Sequence, residues 1–206
     1  MVRHTPGARL LAHRAARLLA AVALLTAVAW SPAHALDGDA AKAHVRTTVD
    51  EVLALVRKPG APAGKTGAFR QILEQRAAMP QIARFAAGNL WRDMSDAQQD
   101  AYVDAFSQYL STVYARRFQE YSGQEVELGG TSDRGRRGIE VESMVTGGGQ
   151  PPVAVTWLVS DRPGRVVLAD IVIEGVSLLI TQRDEITALV GQKGGIDGLI
   201  DFLKGS

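Results

Sequence analysis

The chain has 206 residues with 23 Lys and Arg against 22 Asp and Glu, and it contains no cysteine. Without cysteine there is no disulfide framework, no thiol nucleophile and no thiolate metal site. The charge is nearly balanced, whereas a nucleic-acid-binding protein needs a basic surface for the phosphates, so no nucleic-acid partner is expected.

Residues 1–35 have the pattern of a cleaved secretory signal peptide. Four arginines and no acidic residue occupy residues 1–17, a run of apolar residues and one threonine follows over 18–29, and Ala33 and Ala35 have the spacing of a cleavage site. A helix of that run is about 18 Å long, too short to span about 30 Å of hydrocarbon comfortably, so an uncleaved anchor is the weaker alternative. Removal of this segment leaves one expected domain, residues 36–206, with a net charge near −3.

The first half of the mature chain has helical periodicity. The spacing predicts a first helix over 39–58, ended by the Pro- and Gly-rich residues 59–64. Two shorter helices follow, the first closed by Met79 and Pro80 and the second ending at Gly88. Ser95 with Gln98 three residues later is typical of a capping box, and it predicts a long helix to Tyr121.

The second half has the period of two that is typical of strands. Four strands are predicted over 125–128, 138–146, 153–160 and 165–174, joined by hairpin turns in an antiparallel sheet. Two closing helices are predicted over 178–190 and 195–203. The order predicts an α+β fold, with N-terminal helices and a long helix packed in the concave face of a curved four-stranded sheet.

Few residues of the mature chain are suited to catalysis. His44 is its only histidine, no serine has a nucleophile motif around it, and Gly147 to Gly149 are followed by Gln-Pro-Pro, which is typical of a turn rather than a phosphate loop. We therefore expect no enzyme activity, no metal and no cofactor. Arg134, Arg136 and Arg137 predict a solvated hairpin loop, with a phosphate or head-group contact as the alternative.

Three segments resemble the MlaC family, the periplasmic auxiliary component of the Mla lipid-transport system, whose members are also described as toluene-tolerance proteins. The closing signature is carried by residues 169–186 and 193–203, ADIVIEGVSLLITQRDEI and KGGIDGLIDFL. The long helix and the turn after it, residues 106–126, are similar to that of the same family: FSQYLSTVYARRFQEYSGQEV. With the export signal, the resemblance covers essentially the whole mature chain.

The resemblance implies a fold related to NTF2-like folds and an apolar cavity that takes the acyl chains of a phospholipid. It also implies a periplasmic, non-catalytic carrier that moves lipid between an outer-membrane lipoprotein complex and an inner-membrane ABC transporter complex. The chain departs from the family pattern in Val166 to Ala169 and in Ile186, where aromatic residues are common. A carrier of a hopanoid or another polycyclic lipid is therefore the alternative.

The carrier interpretation predicts a large apolar pocket between the long helix and the sheet. Strand register read from a sequence can be wrong by one residue, which exchanges the two faces. The predicted lipid-binding residues are Phe106, Leu110, Val113, Tyr114, Val141, Val155, Trp157 and Val172.

The apolar junction over 171–180 is predicted to join a strand to a helix that diverges from it, with the strand as one wall of the cavity and the helix as the other. Gly175 permits a backbone conformation closed to other residues, and Ser177 is a plausible N-cap. Asp170 and Glu174 are expected to form a salt bridge with Arg183 that ties helix to sheet, with a head-group contact as the alternative.

Two further function classes are distinguished by the state of the core. An enzyme of the ketosteroid isomerase kind would need a buried carboxylate, for which Asp104 or Asp170 beside Tyr114 are the candidates, and an all-apolar cavity would contradict it. An adaptor that only bridges membrane complexes would have a collapsed core without a cavity.

Overall fold

A computed structural model describes residues 36–206, in which five strands form one antiparallel sheet. The predicted signal peptide, residues 1–35, lies outside the described residues. Each strand pairs with the next in the chain, in the order β1-β2-β3-β4-β5. The strands are β1 Glu125–Asp133, β2 Ile139–Thr146, β3 Val153–Ser160, β4 Val167–Ile173 and β5 Val176–Ser177.

The predicted number of four strands is wrong by one, because the prediction omitted the two-residue strand β5. Glu174 and Gly175 form a two-residue turn after β4, with φ of 48° and 82°. Positive φ at both central residues is what a type I′ hairpin turn requires, and it returns the chain to pair Ile173 with Val176. A Cβ at Gly175 would meet nothing within 4 Å, so this glycine is required for its backbone conformation and not for space.

Residues 36–206 contain seven α-helices. They are α1 Gly38–Arg57, α2 Thr66–Arg76, α3 Met79–Ala87, α4 Leu90–Asp93, α5 Asp96–Arg116, α6 Leu178–Gln192 and α7 Ile196–Lys204. The capping box of Ser95 and Gln98 at the start of α5 is confirmed. The long helix ends earlier than predicted, because Arg117–Glu120 is a separate 3₁₀ turn. None of the helices in this described part is long and apolar enough to cross a membrane.

Among the helices, α1 makes the most extensive contacts with the sheet, a position that the prediction of the long helix in the concave face did not include. These contacts run from α1 to β1, β2 and β3. Ala41 and Val45 of α1 are fully buried, and their small size lets the helix approach the strands closely. The long helix α5 packs on α2, α3 and α7, and its buried side chains share one core cluster with Val141 and Val159 of the sheet. The centroids of its stacked Tyr102 and Phe106 rings lie 5.7 Å apart. The fold is α+β, as predicted; its relation to NTF2-like folds stays a prediction.

Candidate functional site

An apolar cavity of about 160 Å³ lies between β4 and the helices that flank it. Its exposed wall is apolar throughout. The lining residues belong to α2, α3, α5, β4, α6 and the segments beside them: Phe69, Leu73, Ala77, Met79, Ile82, Leu110, Tyr114, Leu168, Ala169, Asp170, Ile171, Leu178, Leu179 and Gln182.

Hydrogen bonds to the Asp170 carboxylate join β4 to the start of α6 beside the cavity. The Oδ1 atom of Asp170 accepts from the backbone N–H groups of Ile171 at 2.8 Å and Leu179 at 3.0 Å. Its Oδ2 atom accepts from the hydroxyl of Ser177 at 2.6 Å. The predicted N-cap at Ser177 is confirmed, because the Oγ atom of Ser177 accepts a hydrogen bond from the N–H of Ile180 at 3.1 Å. A carboxylate at a helix N-terminus satisfies free N–H groups and complements the helix dipole.

The predicted salt bridge between helix and sheet is wrong. Among residues 36–206, no ion pair joins Asp170 or Glu174 to Arg183. A Glu174 carboxylate oxygen accepts instead from the N–H of Ala154, and the Arg183 guanidinium lies 5.3 Å from the centre of the Phe85 ring. The tie between β4 and α6 is made by hydrogen bonds to one carboxylate, which do not need an arginine.

The structure brings two of the eight predicted lipid-binding residues, Leu110 and Tyr114, to the wall of this cavity. Both belong to the last turns of α5. Burial raises the pKa of the Tyr114 hydroxyl, so this side chain is neutral at ordinary pH.

The other six predicted residues lie elsewhere in the fold. Phe106, Val141 and Val155 are buried in the core, while Val113, Trp157 and Val172 are half-buried. The Trp157 Nε1–H donates to the Ser143 hydroxyl at 2.8 Å, which fixes this ring on the sheet. Val141, Val155 and Trp157 lie on the same face of the sheet as Ile171 of the cavity wall, but on the strands that α1 contacts. No lipid contact of any of the eight is established, and each stays a prediction.

The list of predicted lipid-binding residues includes none from α2 or α6, both of which provide part of the wall. Phe69 and Leu73 are recognisable as the apolar side of a helix, but nothing in their spacing indicates which neighbour they face. Leu178 and Leu179 have a clearer signal, because the junction over 171–180 stays apolar on both sides after the strand period ends. In a strand that is buried on one face only, apolar residues would alternate with polar residues.

The carboxylates considered for catalysis have other partners. Asp104 is largely exposed, with 64% of its side chain accessible, and it forms an ion pair with Arg70 outside the cavity. Asp170 accepts the three hydrogen bonds given above. The described residues contain no cluster of His, Asp and Glu that would hold a metal ion. What the cavity wall can do is bury an apolar ligand.

His44 also has a structural position. Its Nε2 atom lies 2.9 Å from the backbone carbonyl oxygen of Arg76, so the neutral ring donates there from α1 to the end of α2. Desolvation lowers the pKa of His44 below 6.5, its usual value.

Comparisons with known proteins agree with this geometry. The family model described as MlaC protein matches residues 46–205. A solved structure from Ralstonia solanacearum, described as a phospholipid-binding protein in complex with a phospholipid, is 28% identical with a TM-score of 0.67. The match covers 80% of this chain and 95% of that one.

Proposed function

The chain belongs to the MlaC family, and we propose from this that it is a periplasmic carrier of phospholipid. The apolar cavity between β4 and α6 is proposed to hold acyl chain, with the head group near solvent. Residues 1–35 are proposed to be the signal peptide that exports it, leaving residues 36–206 as the lipid-binding domain. Its proposed partners are an outer-membrane lipoprotein complex and an inner-membrane ABC transporter complex. No catalytic step and no cofactor are part of the proposal.

The cavity wall is the observation that carries the proposal. Moving an acyl chain from a bilayer into water costs about 0.8 kcal/mol per CH₂, or on the order of 12 kcal/mol for a 16-carbon chain. A soluble carrier has to recover nearly all of this free energy by keeping the chain dry. A wall without exposed polar atoms does so, and it needs no titratable residue. The phospholipid in the structure from Ralstonia solanacearum supports the same ligand class here.

The size of the cavity indicates how a chain enters. At about 160 Å³ it is close to the engineered cavity of about 150 Å³ that takes one benzene molecule. It therefore accommodates a segment of an acyl chain, and binding of a whole chain requires the lining helices to move away from β4. A flexible chain enters such a space a few methylenes at a time.

The volume of the cavity and the partners of its residues favour an acyl chain as ligand over the alternative functions. A hopanoid is a rigid block of fused rings and would need its full width opened at once, whereas the cavity has room for about one ring. An adaptor without a ligand would have no reason to keep an apolar cavity, since unfilled apolar space lowers stability. Asp104 lies outside the cavity, and Asp170, which lines it with Tyr114, has both carboxylate oxygens in hydrogen bonds, which counts against an isomerase-like site.

A transfer assay tests the carrier function. Donor vesicles that contain a fluorescent phospholipid are mixed with acceptor vesicles, and the protein is added in catalytic amount. A carrier accelerates the movement of label in proportion to protein concentration, without fusion of the vesicles.

A variant in which the cavity is filled tests whether this cavity holds the lipid. A substitution on the same helix outside the cavity wall is its matched control. Leu110→Trp places a larger side chain in the wall and is expected to slow transfer, while Ala97→Trp adds the same side chain at an exposed position of α5 outside the wall and is expected to leave transfer intact. A wild-type protein that accelerates no transfer, or equal loss in both variants, would contradict the proposal.

A further inference from the structure

Five exposed arginines flank a half-exposed aromatic ring outside the cavity. They line two adjoining grooves that share Gln81 and Phe85, one beside α3 and α4 and the other between α3, α6 and the loops of the sheet. We call them the arginine surface, which consists of Arg84, Arg92, Arg137, Arg162 and Arg183.

The positive charge of the arginine surface is not neutralised by the protein. No Asp or Glu lines either groove. Asp93, Asp161 and Asp184 are neighbours of these arginines along the chain, but within residues 36–206 no carboxylate lies within ion-pair distance of the five guanidinium groups. The described chain as a whole has a net charge near −3. The arginine surface is thus a local basic patch on an acidic protein.

Aromatic rings make this patch amphipathic. Phe85 is 38% exposed, and the Arg183 guanidinium lies over it at 5.3 Å. Arg84 lies over the Trp91 ring at 5.8 Å. Rings with cationic side chains beside them are favoured at the boundary between a bilayer and water.

The arginine surface adjoins the cavity. Ala169 of β4 and Leu179 of α6 line both the cavity and the larger groove, the one with Arg137 and Arg162. No other residue of the described chain lines both the cavity and this groove. A lipid bilayer seated on the arginine surface would therefore lie within one side-chain layer of the cavity.

We propose that the arginine surface docks the protein on the phosphate-bearing surface of an anionic phospholipid bilayer. The inference rests on the proposed function, since it gives the site where a carrier meets the membrane that supplies or receives its lipid. Arginine guanidinium groups match phosphate oxygens in charge and geometry. The exposed rings and the shared wall of the cavity favour a bilayer over an acidic protein, which would need the charges alone.

Sedimentation with vesicles tests the proposal. The purified protein is mixed with vesicles of phosphatidylcholine alone or with phosphatidylglycerol added, at low and at high ionic strength. Each arginine near an anionic surface contributes about fivefold to binding. Arg84→Gln with Arg183→Gln is expected to weaken binding to the anionic vesicles about 25-fold.

The control pair is Arg46→Gln with Lys58→Gln, which removes the same charge from exposed positions on and just after α1. It is expected to bind like wild type, apart from a small general effect of net charge. Equal loss in both pairs, or wild-type protein that ignores anionic vesicles at low ionic strength, would overturn the proposal and favour an acidic protein as occupant. Melting temperatures establish that each variant is folded, and Arg92→Gln is the substitute for either change that is not.

The phospholipid content of the same samples separates this proposal from the proposed function. Protein that carries phospholipid but does not bind vesicles refutes the docking surface alone. Protein that carries no phospholipid and transfers none refutes the carrier function, whatever its affinity for vesicles.

Discussion

Substitution of Asp170 tests whether one carboxylate holds the two walls of the cavity together. Asp170→Ala removes the acceptor for the Ser177 hydroxyl and for the Leu179 N–H, both of them half-buried. A hydrogen bond to a charged group contributes about 1.5–3 kcal/mol. Loss of the two bonds that join β4 to α6 is expected to lower the free energy of unfolding by about 3 kcal/mol.

Thermal unfolding measures this loss. For a domain of this size, about 1 kcal/mol corresponds to 2–4 °C in Tm, so Asp170→Ala is expected to melt about 6–12 °C below wild type. Asp170→Asn keeps one acceptor oxygen, so its Tm is expected to lie between those of Asp170→Ala and wild type. Differential scanning calorimetry on lipid-free protein avoids the stabilisation that a bound ligand adds.

Asp104→Ala is the matched control, because it removes an aspartate that is exposed and paired only with Arg70. An exposed ion pair contributes at most about 1 kcal/mol, so a shift of at most about 4 °C is expected. If Asp170→Ala melts no lower than Asp104→Ala, the reasoning about the junction is wrong and the walls are held by apolar packing.

Three further variants test other parts of the structure. Leu110→Trp is expected to reduce the copurified phospholipid per protein and Ala97→Trp, at an exposed position of α5, to leave it unchanged, as measured by lipid extraction; the reverse order would place the ligand on another face of α5. Gly175→Ala is expected to lower Tm by about 2–8 °C because its φ is 82°, whereas Gly64→Ala, which also has open space but no positive φ, is expected to be nearly neutral; equal effects would exclude a backbone role. Burial lowers the pKa of folded His44 below its unfolded value of 6.5, so the unfolded state binds more protons and stability falls as pH drops from about 7 through 6.5 toward the folded pKa. His44→Gln should flatten the dependence of Tm on pH in that window, and an unchanged slope would assign it to other groups.

Local elements were predictable where they are long enough to repeat a period. β3 was predicted at the residues that form it, 153–160, and α1 to within one residue at each end. The four residues of α4 and the two of β5 are too short for a hydrophobic period, so no pattern indicated them. The sequence indicated a special backbone conformation at Gly175, but not that Glu174 and Gly175 form a hairpin turn.

The cavity was less predictable because it depends on which helix covers the sheet. The apolar stripe of α5 was recognised, and its Leu110 and Tyr114 line the cavity. Of the predicted strand residues, Val141, Val155 and Trp157 share a face with the cavity residue Ile171 but lie on the strands that α1 contacts, and Val172 lies on the opposite face. The periodicity of α1 and α5 is equally compatible with contact to those strands. Small Ala41 and Val45 let α1 approach the strands, a difference that becomes evident only when the helices are packed.

Native mass spectrometry of protein secreted and purified without detergent tests the central claim most directly. The carrier proposal predicts a population whose excess mass equals that of a phospholipid, identified by extraction from the same sample. A hopanoid mass would keep the carrier and change its ligand. Protein that is empty as purified, and still empty after incubation with phospholipid vesicles, would contradict lipid binding by this chain.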